Sequence, residues 1–247
     1  MITDLLTMIW KEWKEMLLQH GGIRSGILPM VIVPLGLLGV MLPWQMGRAW
    51  IESPLSLAVW AWMPLMLMAG LIADSFAGER ERHTLETLLA SRLPDRAILF
   101  GKICAVVSYG WGLTMLGVSM GLLTVNLVHG RGELLLYSRK QTMGILALSW
   151  LGAWLAAGAG VLVSLRAATV RQAQQVLMLA IMLLLFVPVY GVKLLPAEWR
   201  EQIAGTLASG GAARLVSVII VALTVVDTSL IIAAMARFRR ARLILKD

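Results

Sequence analysis

The chain has 247 residues, of which 59% are hydrophobic and 15% charged, with a mean hydropathy of +0.80. That balance exceeds what a water-soluble domain of this length tolerates and places the chain in a membrane. A net charge of +8 and a pI near 10.3 would suit nucleic acid, but the basic residues sit at span boundaries rather than along one stripe, which argues against such a partner.

Ile2, Leu5, Leu6, Ile9, Trp10, Trp13, Met16 and Leu17 recur at three- and four-residue steps, with Asp4, Thr7, Lys11, Glu12, Lys14 and Glu15 on the other face. The pattern predicts an interfacial amphipathic helix within 1–22, with both tryptophans at headgroup level and the lysines toward anionic lipid. Gly21-Gly22 ends it. The segment is too polar for a signal-peptide core, so the mature chain is expected to begin at Met1.

A bilayer core needs about 20 apolar residues of helix, and six stretches qualify: 27–46, 55–76, 98–128, 143–165, 175–195 and 215–236. The expected fold class is all-α, a single polytopic domain over 1–247 with six transmembrane helices. With both termini in the cytosol, 15 of the 22 lysines and arginines fall on the cytosolic side, as the positive-inside rule requires. Pro29 and Pro34 in the first span, Pro64 in the second and Pro188 in the fifth each remove a backbone donor, so these spans must pack on neighbours. Gly117-x-x-x-Gly121 and Gly152-x-x-x-Ala156-x-x-x-Gly160 mark faces of close approach, read as ordinary bundle packing rather than a dimer seam. Segment 196–213, with Trp199, Ile203 and Leu207 four apart, predicts a short amphipathic helix at the outer interface followed by a flexible break.

The single Cys104 can form no internal disulfide, and His20, His83 and His129 are too scattered for a metal site. Asp227 stands near the middle of the last span, where an ionised carboxylate costs about 2.5–3.5 kcal/mol on insertion scales. It either lines a pathway or binds a cation, or it bonds a neighbouring helix. Tyr109 and Tyr190 are further pathway candidates, though packing explains each, and Trp150 and Trp154 are expected to face lipid.

Between the second and third spans lies a dense charged island. Gly78 precedes Glu79-Arg80-Glu81-Arg82, Leu85, Leu88 and Leu89 form an apolar stripe beside Glu86, and Leu93-Pro94 closes the segment. Pro94 and Asp95 suit the start of the next helix. An arbitrary charged loop is a solvated tether, but here the apolar stripe needs burial against something.

The run Gly78-Glu-Arg-Glu-Arg-x-Thr84-Leu-Glu86-x-Leu88-Leu89, followed by Pro94 and a span beginning Ile98-Leu-Phe-Gly-Lys102, resembles the permeases of type-2 ABC (ATP-binding cassette) exporters. Arg92 stands where many relatives have proline. The resemblance implies a transport subunit in a prokaryotic cytoplasmic membrane, powered by a separate ABC ATPase that binds ATP and Mg, and paired with a second permease copy or a related permease. Its coupling segment would be 77–97. Leu85, Leu88 and Leu89 would fill a groove on the ATPase, while Glu79, Arg80, Glu81, Arg82, Thr84 and Glu86 would set register and partner choice. The second cytosolic loop, 166–175, would add a smaller contact or be a plain turn.

This chain is expected to bind no cofactor and to hydrolyse no ATP, since Gly101-Lys102 is followed by Ile103 and lacks the upstream glycine of a phosphate-binding loop. An intramembrane aspartyl protease would need Asp74 and Asp227 as a pair, but Asp74 sits in Ala-Asp-Ser at a span end. An ion-coupled secondary transporter using Asp227 is the better alternative.

Overall fold

The computed structural model describes residues 2–20, 27–82, 94–206 and 212–238. Among these, every regular element is helical, as expected of a chain that must satisfy its backbone groups without water. In chain order they are α1 (Ile2–His20), α2 (Ile27–Gly36), a π-helical turn (Leu37–Met41), α3 (Leu42–Met46), α4 (Arg48–Glu52) and α5 (Pro54–Ala73). A second π-helical turn (Asp74–Gly78) and α6 (Glu79–Glu81) follow without a break. The remaining helices are α7 (Asp95–His129), α8 (Arg139–Ser164), α9 (Val170–Leu194), α10 (Ala197–Thr206) and α11 (Ala212–Arg237).

Among the described residues, five helices are long and apolar enough to cross a membrane: Pro54–Glu81, Asp95–His129, Arg139–Ser164, Val170–Leu194 and Arg214–Arg237. The stretch read as a first span, 27–46, is helical throughout, with a shorter apolar part, Val31–Met46. Its π-helical turn lies between Pro34 and Pro43, where missing N–H donors loosen the α-helical ladder.

Local chemistry sets the ends. Pro54 and Pro94 stand at helix starts where no N–H is needed. The Ser138 hydroxyl accepts from Gln141 N, and the Thr169 hydroxyl from Gln172 N, each satisfying a donor of the first turn. Gly47, at φ +54 between α3 and α4, takes a left-handed conformation against the His129 ring, which a side chain there would obstruct.

At the centre, α5 packs along α8. A Cβ on Gly152 would come 2.9 Å from the Ala61 carbonyl oxygen, and one on Gly160 would strike Ile72. The small-residue stripe is thus the α5–α8 contact, as bundle packing predicts. Gly117 and Gly121 of α7 receive Trp60 of α5 in the same way. Over their apolar windows α5 and α8 are 61% and 56% buried, whereas α9 and α11 are 12% and 6% buried. The last two long helices therefore present apolar surface to whatever surrounds the chain.

One end of the bundle, where α4 meets the 130–138 link, is fastened by polar contacts. Asn126 donates to the Leu122 and Leu135 carbonyls and accepts from Leu135 N, each at 2.8 Å. Arg48 pairs with Glu133, and Gln141 donates to the Ser53 carbonyl and the Ser56 hydroxyl. The other end carries the charged island.

Candidate functional site

The island begins where α5 passes through its π-helical turn into α6. Opposite it, Lys102 stands on α7 among buried Ile98, Leu99 and Ile103, and is itself 0% exposed. An ammonium has three donors, and here each finds an acceptor. Lys102 Nζ lies 2.8 Å from Glu12 Oε1 of α1, 2.8 Å from Glu79 Oε1 of α6 and 2.9 Å from the Ser75 carbonyl oxygen. The Phe76 ring adds its face, 5.6 Å from the nitrogen.

The carboxylates are supported in turn. Lys11 Nζ is 3.5 Å from Glu12, 3.6 Å from Glu79 and 3.2 Å from Glu15. Burial alone would depress the Lys11 pKa, but Glu12, Glu79 and Glu15 together outweigh it and hold the group above the usual lysine value. The Ser75 hydroxyl donates to Glu12 Oε2 at 3.4 Å. A small cleft beside Lys102, lined by Glu15, Met16 and Leu71 among others, offers about 20 Å³ for a water-sized body, room for about one water. It is a charge junction and no cargo cavity.

Every described charge of the island serves a different neighbour. Glu79 meets Lys102 and Lys11. Arg80 donates to the Ala167 and Leu165 carbonyls at 3.0 and 3.1 Å, capping the end of α8. Glu81 accepts from Val170 N at 3.2 Å at the start of α9, where the helix dipole favours a carboxylate. Arg82 pairs with Asp74 across the π-helical turn. A Cβ on Gly78 would lie 2.5 Å from Asp74 Oδ1 and 3.2 Å from Arg82, so the glycine leaves room for that pair. The 165–170 link is held to the island, rather than being a free turn.

Thr84, Leu85, Glu86, Leu88 and Leu89, with Arg92, lie outside the described residues. The structure thus positions both roots of the predicted coupling segment, and the segment's role toward a partner is taken up below.

Glu12, Trp13 and Lys102 make contacts that local spacing does not reveal. Glu12, read as lying on the face opposite the apolar one, is buried with Met8 and Met16, one turn to either side. Trp13 donates to the Ala105 carbonyl and the Ser108 hydroxyl of α7, a tertiary contact that its place in the amphipathic pattern does not reveal. The physical reason is the helix surface chosen for packing: α1 turns its 8–12–16 edge to α7, leaving Leu6 and Trp10 outward, with Trp10 72% exposed. Lys102, read as a boundary charge, is the centre of the junction. The available signal was a lone lysine one turn inside an apolar run, which needs a carboxylate from another element.

The three pathway candidates are not joined by any hydrogen bond or ring contact among the described residues. Tyr109 packs edge-on against Trp13, with centroids 6.5 Å apart. Tyr190 is exposed on α9, beside Phe186 and under Lys193. Asp227 is 5% exposed, and neither carboxyl oxygen has a hydrogen-bond partner among the described residues. Trp150 is half exposed but stacks edge-to-face with Trp111 and Trp154. Asp74, the other half of the protease pair, is engaged with Arg82. Among the described residues no cluster of His, Cys, Asp and Glu is grouped to hold a metal ion.

A family model described as an ABC-2 family transporter protein matches residues 61–207, more than half of the chain. The match contains the island, Lys102 and the 165–170 link, and excludes Glu12 and Asp227. No curated protein matches the chain.

Proposed function

The chain belongs to the ABC-2 family of transporters, and on that premise we propose that it is the permease subunit of an ATP-driven exporter. It crosses a prokaryotic cytoplasmic membrane six times, 27–46 being the first span, with both termini in the cytosol. Residues 79–94 dock on a separate ABC ATPase that binds ATP and Mg. Leu85, Leu88 and Leu89 enter its groove, and Glu86 and Thr84 fix the register. A second permease copy, or a related permease, completes the path, and lipid covers the remaining faces of α9 and α11.

The observation that carries this reading is the family match over a chain whose charged island is rooted rather than loose. Both flanks of 83–93 enter the junction around Lys102, and Arg80 and Glu81 tie in the next link on the same side. A segment that only set topology would need none of these bonds. The permease is expected to co-purify with an ABC ATPase encoded beside it, and ATP hydrolysis to require that partner. Leu88→Asp or Leu89→Asp is expected to weaken the complex by about 30-fold or more, the effect of burying a charge at an interface hot spot. ATP turnover by the chain alone, or unchanged capture of the ATPase by both variants, would sink the reading.

A second reading, ion-coupled transport through Asp227, has one observation in its favour: that carboxyl is buried without a hydrogen-bond partner among the described residues. Asp227→Asn is expected to leave complex assembly intact and to change transport if the group lines a path, because the amide keeps the shape and removes the charge. Asp227→Leu is expected to match wild-type stability within about 1 kcal/mol, since no known partner is stranded. Wild-type transport by both variants removes Asp227 from the mechanism.

A further inference from the structure

The junction around Lys102 joins three parts of the chain that the permease reading leaves independent. Glu12 comes from α1, Glu79 and the Ser75 carbonyl from the root before the docking segment, and Lys102 from the root after it. Lys102 stands seven residues beyond Asp95, about 10 Å into α7. The next residue of α1, Trp13, donates to Ala105 and Ser108 of α7. One turn before Glu12, Met8 lies so close to Gly101 that a Cβ there would come 2.6 Å from it.

This contact is closer and more specific than an interfacial helix needs. Met or Leu at position 102 would pack the same surface without desolvating an ammonium and two carboxylates. What an apolar side chain cannot do is fix the register: sliding by one turn leaves Met8 and Met16 in apolar contact but strands every charge. A buried cation with saturated donors makes such sliding costly.

We propose that Lys102 is a positioning residue that latches α1 to both roots of the docking segment, so that α1, α6 and the first turns of α7 move as one body. This rests on the permease reading. ATP-driven displacement of the segment then reaches α1 without loss in a flexible joint, and the exposed Leu6 and Trp10 are carried with it.

The test uses the complex of permease and ATPase, with nitroxide labels on cysteines replacing Lys14 and Arg96, both exposed, in a Cys104→Ser background. Pulsed electron resonance reads the 14–96 distance without nucleotide and with trapped Mg-nucleotide. The expected result is one narrow distance, the same in both states. In Lys102→Met/Glu12→Gln, which leaves Glu79 beside Lys11 and so avoids a stranded charge, the distance is expected to broaden or split when nucleotide binds. Lys102→Arg is expected to restore the single distance.

A double variant that keeps the narrow, nucleotide-insensitive distance would overturn the latch while leaving the permease reading intact. So would a wild-type distance that changes with nucleotide. Loss of the complex in the double variant would also overturn it, by placing Lys102 in docking itself. Failure of the wild-type chain to bind any ABC ATPase would instead remove the permease reading, and the latch with it.

Discussion

Lys102→Met is expected to lower the unfolding free energy by about 3–5 kcal/mol, because removing one partner of a buried ion pair leaves the others uncompensated. Methionine matches the volume of the aliphatic stem, so the loss is electrostatic. Glu12 Oε1 and Glu79 Oε1 each lose a 2.8 Å partner, and the Ser75 carbonyl loses its donor. Adding Glu12→Gln removes one of the stranded charges and is expected to recover about half of the loss. Thermal unfolding in detergent, followed by circular dichroism, checks both steps. A single variant as stable as wild type would show that the junction contributes nothing net.

The second large effect lies at the opposite end of the bundle. Trp60→Ala is expected to cost about 3–5 kcal/mol, the usual result of emptying a large buried aromatic site. Trp60 is fully buried on α5, edge-on to Trp50 with centroids 6.0 Å apart, and it rests on Gly117 and Gly121 of α7. Its indole nitrogen donates to the Tyr137 hydroxyl at 3.2 Å, which holds the 130–138 link. Burial raises the Tyr137 phenol above its ordinary pKa, against the opposing hydrogen bond from Trp60, so it stays neutral near pH 7. Trp60→Phe keeps most of the packing and loses the donor, for about 1–2 kcal/mol. Equal stability of the alanine and wild-type chains would mean that α7 closes over the gap.

These two sites differ in how far the amino-acid sequence reveals them. The long helices were legible because each holds an apolar run of about 20 residues, and Pro94 marked where α7 starts. The small-residue stripe of α8 was legible as a packing face, since spacing alone puts Gly152, Ala156 and Gly160 on one side. The island was visible as charge between apolar runs. Its internal wiring was not.

Glu12 and Lys102 are 90 residues apart, and nothing local says which edge of α1 meets α7. On a helical wheel the tryptophans and leucines outweigh Met8 and Met16, so the apolar moment does not show that Glu12 is buried with Met8 and Met16. A tertiary ion pair overrode a local pattern. Likewise Arg80 and Glu81 read as surface charges until the ends of α8 and α9 are placed beside them, each with backbone groups that need a partner.

The order in which the chain is synthesised gives the Lys102 junction a further meaning. Glu12 and Glu79 both precede Lys102 in the chain, so both carboxylates have left the ribosome before the lysine does. At about 5–20 residues per second the cation follows Glu79 within about 1–5 s. It therefore meets acceptors already made and need not be buried as a lone charge. Until α7 is made, Glu12 and Glu79 lack the cation that is buried between them, so the junction can close only after residue 102 has been added.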